Sequence, residues 1–331
     1  MTDRRPIGVL DSGLGGLSVA REIRALRPGE DLLYVADSAH CPYGDRSKAE
    51  IRALARAIAG QLIERGAKLI VVACNTISVA SLDELRRTFP VPFVGIVPAV
   101  KPAAAATRVR RVGVLATPAT FQTEVFADLV RTFAADVEVH CRTCPGWVEL
   151  VERGETSGPE AERLVRQHVE PLLASAVDTL VLGCTHYPFL RSLVEAIAGP
   201  TVTVLDTGIP VARQVARVLT ERDLANPRTA GGQFVCLTTA ADADPVRRVA
   251  THLLGYAPDS VEPIRDLGVD APPVAEHIGD MGVNAPPVAD SFGDQPLPIG
   301  IKEARTRPDE ESGQAVADRR GLIGGRGSPG V

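Results

Sequence analysis

The regular alternation of short apolar runs with longer amphipathic stretches constrains the fold of this chain more than any other feature. Up to residue 265, runs such as IGVL, LLYV and LIVV alternate with stretches whose apolar residues recur every three to four positions. The clearest amphipathic stretch carries Ile51, Leu54, Ile58 and Leu62 and ends before Gly66. Apolar strands joined by helices predict parallel sheets covered on both faces, which is an α/β fold.

The chain also contains two similar halves. PIGVLDSGLGG near the start resembles RVGVLATPATF at 111–121, and KLIVVACNTIS resembles DTLVLGCTHYP at 178–188. Gly8 pairs with Gly113 and Cys74 pairs with Cys184, and the two separations are nearly equal. We therefore predict a duplicated unit, with two pseudo-symmetric doubly wound parallel-sheet domains and an active site at their interface.

The predicted first domain combines residues 1–98 with 208–265, and the predicted second domain covers residues 99–207. Residues 266–331 have a different character. They begin with a tandem repeat, DLGVDAPPVAEHIG followed by DMGVNAPPVADSFG, and continue with many Gly, Pro and charged residues. Such a composition opposes helix and strand alike, so we expect a disordered C-terminal tail.

Composition excludes several classes of protein. The net charge is −5 and aromatic residues make up 4%, so the basic stripe and stacking side chains of a nucleic-acid groove are missing, and no direct nucleic-acid binding is expected. No apolar run reaches the length of a membrane span, and the N-terminus lacks the pattern of a signal peptide. We expect no membrane association, a cytoplasmic location and reduced cysteines.

Polar side chains follow the predicted strands at the edge where doubly wound sheets bind their ligands. Two of the clusters begin with a cysteine that stands at the end of an apolar strand and before a predicted helix. The clusters are Asp11-Ser12, Cys41 to Asp45, Cys74-Asn75-Thr76, Thr117 to Thr120 and Cys184-Thr185-His186.

The two strand-end cysteines suggest a chemistry. Thr76 or Ser78 is expected to cap the first helix, and Thr185 with Pro188 suits the opening of the second. The positive end of a helix lowers a thiol pKa from about 8.5, and its free N–H groups bind carboxylates. Two thiols flanking a small carboxylate ligand suit inversion of an α-amino-acid stereocentre, because one group removes the α-proton while the other returns one. N–H donors on the carboxylate would stabilise the carbanion.

Five stretches resemble the signature motifs of glutamate racemases, in the aspartate/glutamate racemase superfamily. They lie in order across roughly residues 6–265 and read GVLDSGLGGLSV, CPYGD, VVACNT, CPGWVELVERG and LVLGCTHYP. The resemblance implies interconversion of L- and D-glutamate to supply peptidoglycan synthesis, with neither pyridoxal phosphate nor a metal as cofactor. Members are often dimers, so a homodimer is implied as well, and binding to DNA gyrase is left open.

The same resemblance implies roles for single residues. Cys74 and Cys184 match the two catalytic thiols, and Asp11 and His186 match residues that assist these thiols or bind the substrate ammonium group. Further positions match the substrate-binding pocket: Ser12, Tyr43 and Gly44 for the side-chain carboxylate, Asn75, Thr76 and Thr185 for the α-carboxylate and amine, and Thr117, Thr120 and Glu152 for other parts of it.

Alternative interpretations exist for two motifs and for the function. SGLGG has Ser18 where a dinucleotide site needs its third glycine. HCRTC at 140–144 lacks a second ligand pair for structural zinc, and Pro145 disfavours a redox motif, so Cys141 is expected to pack in a loop. The alternative functions are an aspartate or hydantoin racemase, a thiol hydrolase, which needs only one Cys–His pair, and a non-enzymatic binding protein.

Overall fold

The computed structural model describes residues 3–264 and 267–269. The predicted tail lies outside the described residues except for 267–269, so its disorder stays a prediction. No helix in the described part of the chain is both long and apolar enough to cross a membrane.

Within the described residues, six strands form the larger sheet, and all of its pairings are parallel. The strands are β1 (Ile7–Asp11), β2 (Leu32–Ala36), β3 (Leu69–Val72), β4 (Phe93–Val94), β9 (Phe234–Thr238) and β10 (Ser260–Pro263). Their order across the sheet is β10-β9-β2-β1-β3-β4. β1 therefore lies in the interior of the sheet, where its five residues are all buried, as its continuous apolar pattern predicts.

The second described sheet has four parallel strands, β5 (Arg111–Ala116), β6 (Glu138–Thr143), β7 (Thr179–Leu182) and β8 (Thr203–Leu205). Their order, β6-β5-β7-β8, repeats the order β2-β1-β3-β4 of the larger sheet. The prediction of two pseudo-symmetric parallel-sheet α/β domains is confirmed. The residue boundaries proposed between the domains stay a prediction.

Helices connect the strands and cover the sheets. The longest, α2 (Lys48–Glu64), begins with a capping box in which Ser47 and Glu50 each accept the other's backbone N–H. The others are α1 (Leu17–Leu26), α3 (Asn75–Thr88), α4 (Val100–Ala106), α5 (Pro118–Phe121), α6 (Glu124–Phe133), α7 (Trp147–Glu152), α8 (Pro159–Ala174), α9 (Arg191–Ala198), α10 (Gly208–Glu221) and α11 (Ala243–Leu254), with a 3₁₀ turn at Tyr187–Leu190.

Equivalent glycines let a helix pack closely on the central strand of each sheet. A Cβ atom at Gly8 of β1 would lie 3.2 Å from Leu62 Cδ1 of α2. A Cβ atom at Gly113 of β5 would lie 3.0 Å from Leu172 Cδ1 of α8. These contacts are tighter than ordinary packing, so both halves use a glycine in mid-strand for the same close approach.

A buried ion pair joins four segments near the amino ends of strands of the larger sheet. Lys68 Nζ lies 2.6 Å from Glu30 Oε2 and also donates to the carbonyl of Asp3. The other oxygen of Glu30 accepts the N–H of Asn226. The side chains of Lys68 and Glu30 are 0% and 3% exposed, respectively. Each charge therefore depends on the other, because water cannot replace a lost partner.

Replacing Lys68 by methionine should reduce the free energy of unfolding by about 3–5 kcal/mol, because Glu30 then remains buried without its cation. The measurement is urea denaturation followed by far-ultraviolet circular dichroism. Arg217→Met, which removes an exposed ion pair with Glu221 on α10, is the control and should leave the midpoint nearly unchanged. Equal midpoints for the two variants would contradict the assignment.

Candidate active site

The carboxyl ends of the central strands of both sheets meet at one buried cluster. Asp11 ends β1, Cys74 follows β3, and Cys184 follows β7. Thr185 Oγ1 donates to Asp11 Oδ1 at 3.3 Å, which joins the second half of the chain to the first. Asp11 is fully buried, and Cys74 and Cys184 are 6% and 9% exposed, respectively. The structure therefore brings the sequence-predicted site residues together, although their roles stay predictions.

Cys74 itself occupies the N-cap position of α3. The prediction that Thr76 or Ser78 caps this helix is wrong. The hydroxyl of Ser78 instead donates to the carbonyl of Val72 and accepts the N–H of Ile96. Ser78 thus ties α3 to the end of β3 and to the segment after β4, and the Cys74 thiol lies at the N-terminus of the helix.

The pKa of Cys74 is raised to about 12, chiefly by burial and then by the negative charge of Asp11. The N–H of Ile77 and the hydroxyl of Ser12, whose Oγ lies 3.6 Å from the sulfur, favour the thiolate but do not outweigh burial. The predicted lowering of this pKa by the helix end is therefore wrong for the site as it stands. Desolvation penalises the charged form more than one helix terminus stabilises it.

Cys184 is the first member of a chain of three ionisable side chains. Its Sγ lies 3.6 Å from His186 Nδ1, and His186 Nε2 lies 2.6 Å from Glu152 Oε1. A 3₁₀ turn follows His186, where the sequence predicts a helix opening, and Thr185 does not cap it. The imidazole therefore connects the thiol to a carboxylate at the end of α7.

Burial by itself lowers the pKa of the His186 imidazole and raises the pKa of the Asp11 carboxyl group. It disfavours charge on His186, but hydrogen bonds with Cys184, Cys41 and Glu152 outweigh it and raise the pKa of His186 well above its ordinary value. Burial raises the pKa of Asp11, and the positive charge of His186 opposes this rise. A positively charged imidazole is thus favoured at His186 near neutral pH.

The SGLGG turn is glycine-rich because Glu152 at the end of α7 and His186 after β7 approach it closely. A Cβ atom at Gly13 would lie 2.2 Å from Glu152 Oε1, and one at Gly15 would lie 2.3 Å from His186 Nδ1. The N–H of Leu14 donates to Glu152 Oε1 at 2.6 Å. The glycines therefore serve contact between the two halves, and a dinucleotide role is not needed to explain them.

The loop after β2 brings Tyr43 and Gly44 to the same region. The hydroxyl of Tyr43, which is 1% exposed, donates to Asp37. Asp37 also accepts the hydroxyl of Thr239, from the segment after β9, at 2.6 Å. Sequence reasoning missed Asp37, although it follows β2 as directly as polar residues follow the other strands. Asp37 shapes the loop that presents Gly44 beside Thr117.

A line of hydroxyl groups crosses from α3 to the segment after β5. Thr76 Oγ1 lies 3.3 Å from Thr117 Oγ1, which lies 3.2 Å from Thr120 Oγ1. Beside it, Asn75 is 3% exposed, and neither polar atom of its side chain has a hydrogen-bond partner among the described residues. Buried amides are rarely left unpaired, so Asn75 is available for a ligand.

The HCRTC motif forms the end of β6 and the residue that follows it. Cys141 lies on the edge strand β6 and is partly buried, so the prediction that it packs in a loop is wrong. Sequence reasoning placed Cys41 in a strand-end cluster but gave it no role, whereas its sulfur lies against Glu152 and His186. The only available signal was its position in the loop after a core strand.

Comparison with known proteins agrees with the geometry. Residues 14–215 match the family model of the Asp/Glu/Hydantoin racemases. The chain belongs to this family. A curated glutamate racemase of Roseiflexus is 52% identical over 78% of this chain and 95% of its own length. One from Pseudomonas entomophila is 51% identical over 75% and 93%.

Solved structures of glutamate racemases are similar to this chain as well. A glutamate racemase isoform from Bacillus anthracis is 31% identical with a TM-score of 0.73, covering 79% of this chain and 98% of its own. The Escherichia coli glutamate racemase, solved with L-glutamate and the activator UDP-MurNAc-ala, is 33% identical with a TM-score of 0.71, covering 78% and 98%. That from Francisella tularensis, solved with D-glutamate, is 29% identical with a TM-score of 0.70, covering 80% and 99%. The resemblance drawn from the motifs is confirmed, and this enzyme is an amino-acid racemase.

Glu152→Gln should lower the pKa of His186 towards its ordinary value of about 6.5, because the variant loses the negative partner of the imidazolium. Nitrogen-15 NMR of the histidine rings over a pH series measures this. Since the folded pKa exceeds the unfolded one, the linked stabilisation is complete below about pH 6.5 and is lost as the pH rises through the folded pKa. Glu149→Gln, on the exposed face of α7, is the matched control. An unchanged His186 titration in Glu152→Gln would refute the pairing.

Proposed function

We propose that this racemase interconverts L- and D-glutamate without a cofactor, using Cys74 and Cys184 on opposite faces of the substrate α-carbon. The observation that carries the proposal is the convergence of both thiols on one buried cluster. Each thiol has its own polar partners there, Ser12 and Asp11 on one side and His186 on the other. A thiol hydrolase would use one Cys–His pair and would leave Cys74 without a role.

The two thiols exchange protons with the substrate in opposite senses. One thiolate removes the α-proton, the carbanion forms, and the other thiol donates its proton from the opposite face. One proton enters and one leaves, so the enzyme ends each turnover with the charge on the other sulfur. The imidazolium of His186 stabilises a negative charge on Cys184 and can relay its proton.

The substrate itself supplies a positive charge that can pair with Asp11. The carboxylate of Asp11 raises the pKa of Cys74, and an ammonium group bound beside Asp11 would offset that charge. Substrate binding would then favour the Cys74 thiolate at the moment when it is needed. The base is therefore generated mainly in the complex, which protects the free enzyme from side reactions of a thiolate.

Backbone and amide donors would stabilise the carbanion. The α-carboxylate is assigned to the opening of α3, where free N–H groups and the unpartnered amide of Asn75 lie together. Hydrogen bonds to the carboxylate strengthen as negative charge moves onto it from the α-carbon. In this proposal the chain supplies this stabilisation from its own groups, with neither pyridoxal phosphate nor a metal.

Glutamate is favoured over aspartate or hydantoins because the relatives of about 50% identity are named glutamate racemases. The bound L- and D-glutamate of two solved relatives supports both enantiomers as ligands. We assign the distal carboxylate to Ser12 and the loop of Tyr43 and Gly44. The proposal also includes D-glutamate supply for peptidoglycan and a homodimer, both carried over from the family resemblance, and the cytoplasmic location expected from the sequence pattern.

Single Cys74→Ser and Cys184→Ser variants should each lose about 10²–10⁴-fold in racemisation, because a serine hydroxyl is a far weaker acid/base at neutral pH. Circular dichroism of L- and D-glutamate follows the reaction, in the presence of EDTA and without added pyridoxal phosphate. Solvent deuterium should enter the α-position of both enantiomers with the unaltered enzyme.

Cys141→Ser is the control for these variants, because this partly buried thiol lies on β6 outside the cluster. It should racemise glutamate at the unaltered rate. Full activity of either catalytic-thiol variant would reject the two-thiol mechanism. Activity on aspartate with none on glutamate would favour the alternative function, an aspartate racemase.

Asn75→Ala should raise the KM for glutamate about tenfold or more, because a hydrogen bond to a charged ligand contributes about 1.5–3 kcal/mol. Thermal stability should not fall, since the amide has no protein partner to lose. Steady-state kinetics and calorimetry measure the two effects. Asn226→Ala, at the opposite end of the larger sheet, should leave KM unchanged. A lower melting temperature with unchanged KM would make Asn75 structural.

A further inference from the structure

Cys41 is a third thiol beside the site, and the proposed racemisation does not use it. Its sulfur, a carboxylate oxygen of Glu152 and a ring nitrogen of His186 all lie within 4.8 Å of one another. Cys41 comes from the loop after β2, whereas Glu152 ends α7 and His186 follows β7. The three side chains therefore converge from separate parts of the fold.

The three groups form a ligand set of a recognisable kind. A thiolate, an imidazole and a carboxylate are the donors that zinc binds in proteins, and three protein ligands leave a fourth position for water. With bonds of about 2.0–2.3 Å, tetrahedral ligands lie about 3.3–3.7 Å apart. The 2.6 Å contact between His186 Nε2 and Glu152 Oε1 would therefore have to lengthen by about 1 Å to admit the ion.

The surroundings suit an ion at this position. The N–H of Leu14 holds Glu152 Oε1, which is the kind of second contact that orients a ligating carboxylate. Gly13 leaves the space, since a Cβ atom there would lie 2.2 Å from Glu152 Oε1 and 2.9 Å from Cys41 Sγ. Cys41 is only partly buried and Glu152 is 13% exposed, so an ion can enter from that side.

We propose that Cys41, Glu152 and His186 form an inhibitory binding site for zinc or a similar divalent cation. On binding, the Cys41 sulfur releases its proton to solvent, and the ion replaces the contact between His186 Nε2 and Glu152. The imidazole then cannot carry a proton on both nitrogens beside Cys184. Binding of the ion stands independently of the racemisation proposed above, and only the inhibition rests on that function.

Cobalt binding tests the site without any use of activity. The double variant Cys74→Ser/Cys184→Ser lacks both proposed catalytic thiols, so a thiolate-to-cobalt absorption band must come from another cysteine. We expect one equivalent of Co²⁺ to produce this band and Zn²⁺ to displace it. Adding Cys41→Ser should abolish the band, whereas adding Cys141→Ser should leave it. Absence of the band, or its persistence without Cys41, would overturn the proposal.

Zinc inhibition provides the second measurement. Each variant is titrated with ZnCl₂ in a phosphine reductant, and its rate is expressed relative to its own zinc-free rate. Cys41→Ser should raise the half-inhibitory zinc concentration by about tenfold or more, as expected for a lost ligand. Cys141→Ser should match the unaltered enzyme. Equal inhibition with and without Cys41 would place the ion on the other thiols and reject the inhibitory role.

The two proposals fail differently. Suppose that the cobalt band depends on Cys41 but the unaltered enzyme does not racemise glutamate. This result would support the ion site and reject the proposed function. Racemisation that requires both catalytic thiols, with no cobalt band, would support the proposed function and reject the ion site.

Discussion

The close contact between the glycine turn after β1 and the residues that follow β7 is the interaction on which the site depends. Ser18 donates to the carbonyl of Thr185, and the hydroxyl of Thr185 donates to Asp11. Side chains at Gly13 or Gly15 would collide with Glu152 or His186. Because this contact joins residues from both sheets, the two thiols share one cluster only while it is formed.

Bringing these groups together buries several charges, and their mutual pairing makes the arrangement tolerable. An isolated buried carboxylate would take up a proton, as the raised pKa of Asp11 indicates. The positive His186 opposes that shift and also contacts Glu152 Oε1 at 2.6 Å. The arrangement leaves the side-chain amide of Asn75 without a hydrogen-bond partner among the described residues, which supports the proposal that an amino acid binds there.

Sequence reasoning succeeded for the apolar patterns and failed where the surroundings of a residue decided the outcome. The apolar runs located β1 and β3, and the apolar periodicity located α2. The edge strand β6 was missed because its residues, Glu138 to Thr143, are exposed or only partly buried and form no apolar run. The pKa of Cys74 was expected to fall because the helix end is visible in sequence, whereas the burial that raises it is not.

The sequence by itself determined the α/β class, the two similar halves and the strand ends to which we assign the chemistry, because periodicity and turn residues act over a few neighbouring positions. Only the tertiary structure decided which strand ends meet, since hydrogen bonds such as Leu14 to Glu152 join residues far apart in the chain. It alone also placed Asp37 under Tyr43 and Cys41 against His186. Burial and charge depend on every packed neighbour, so they exist only once the two halves are folded together.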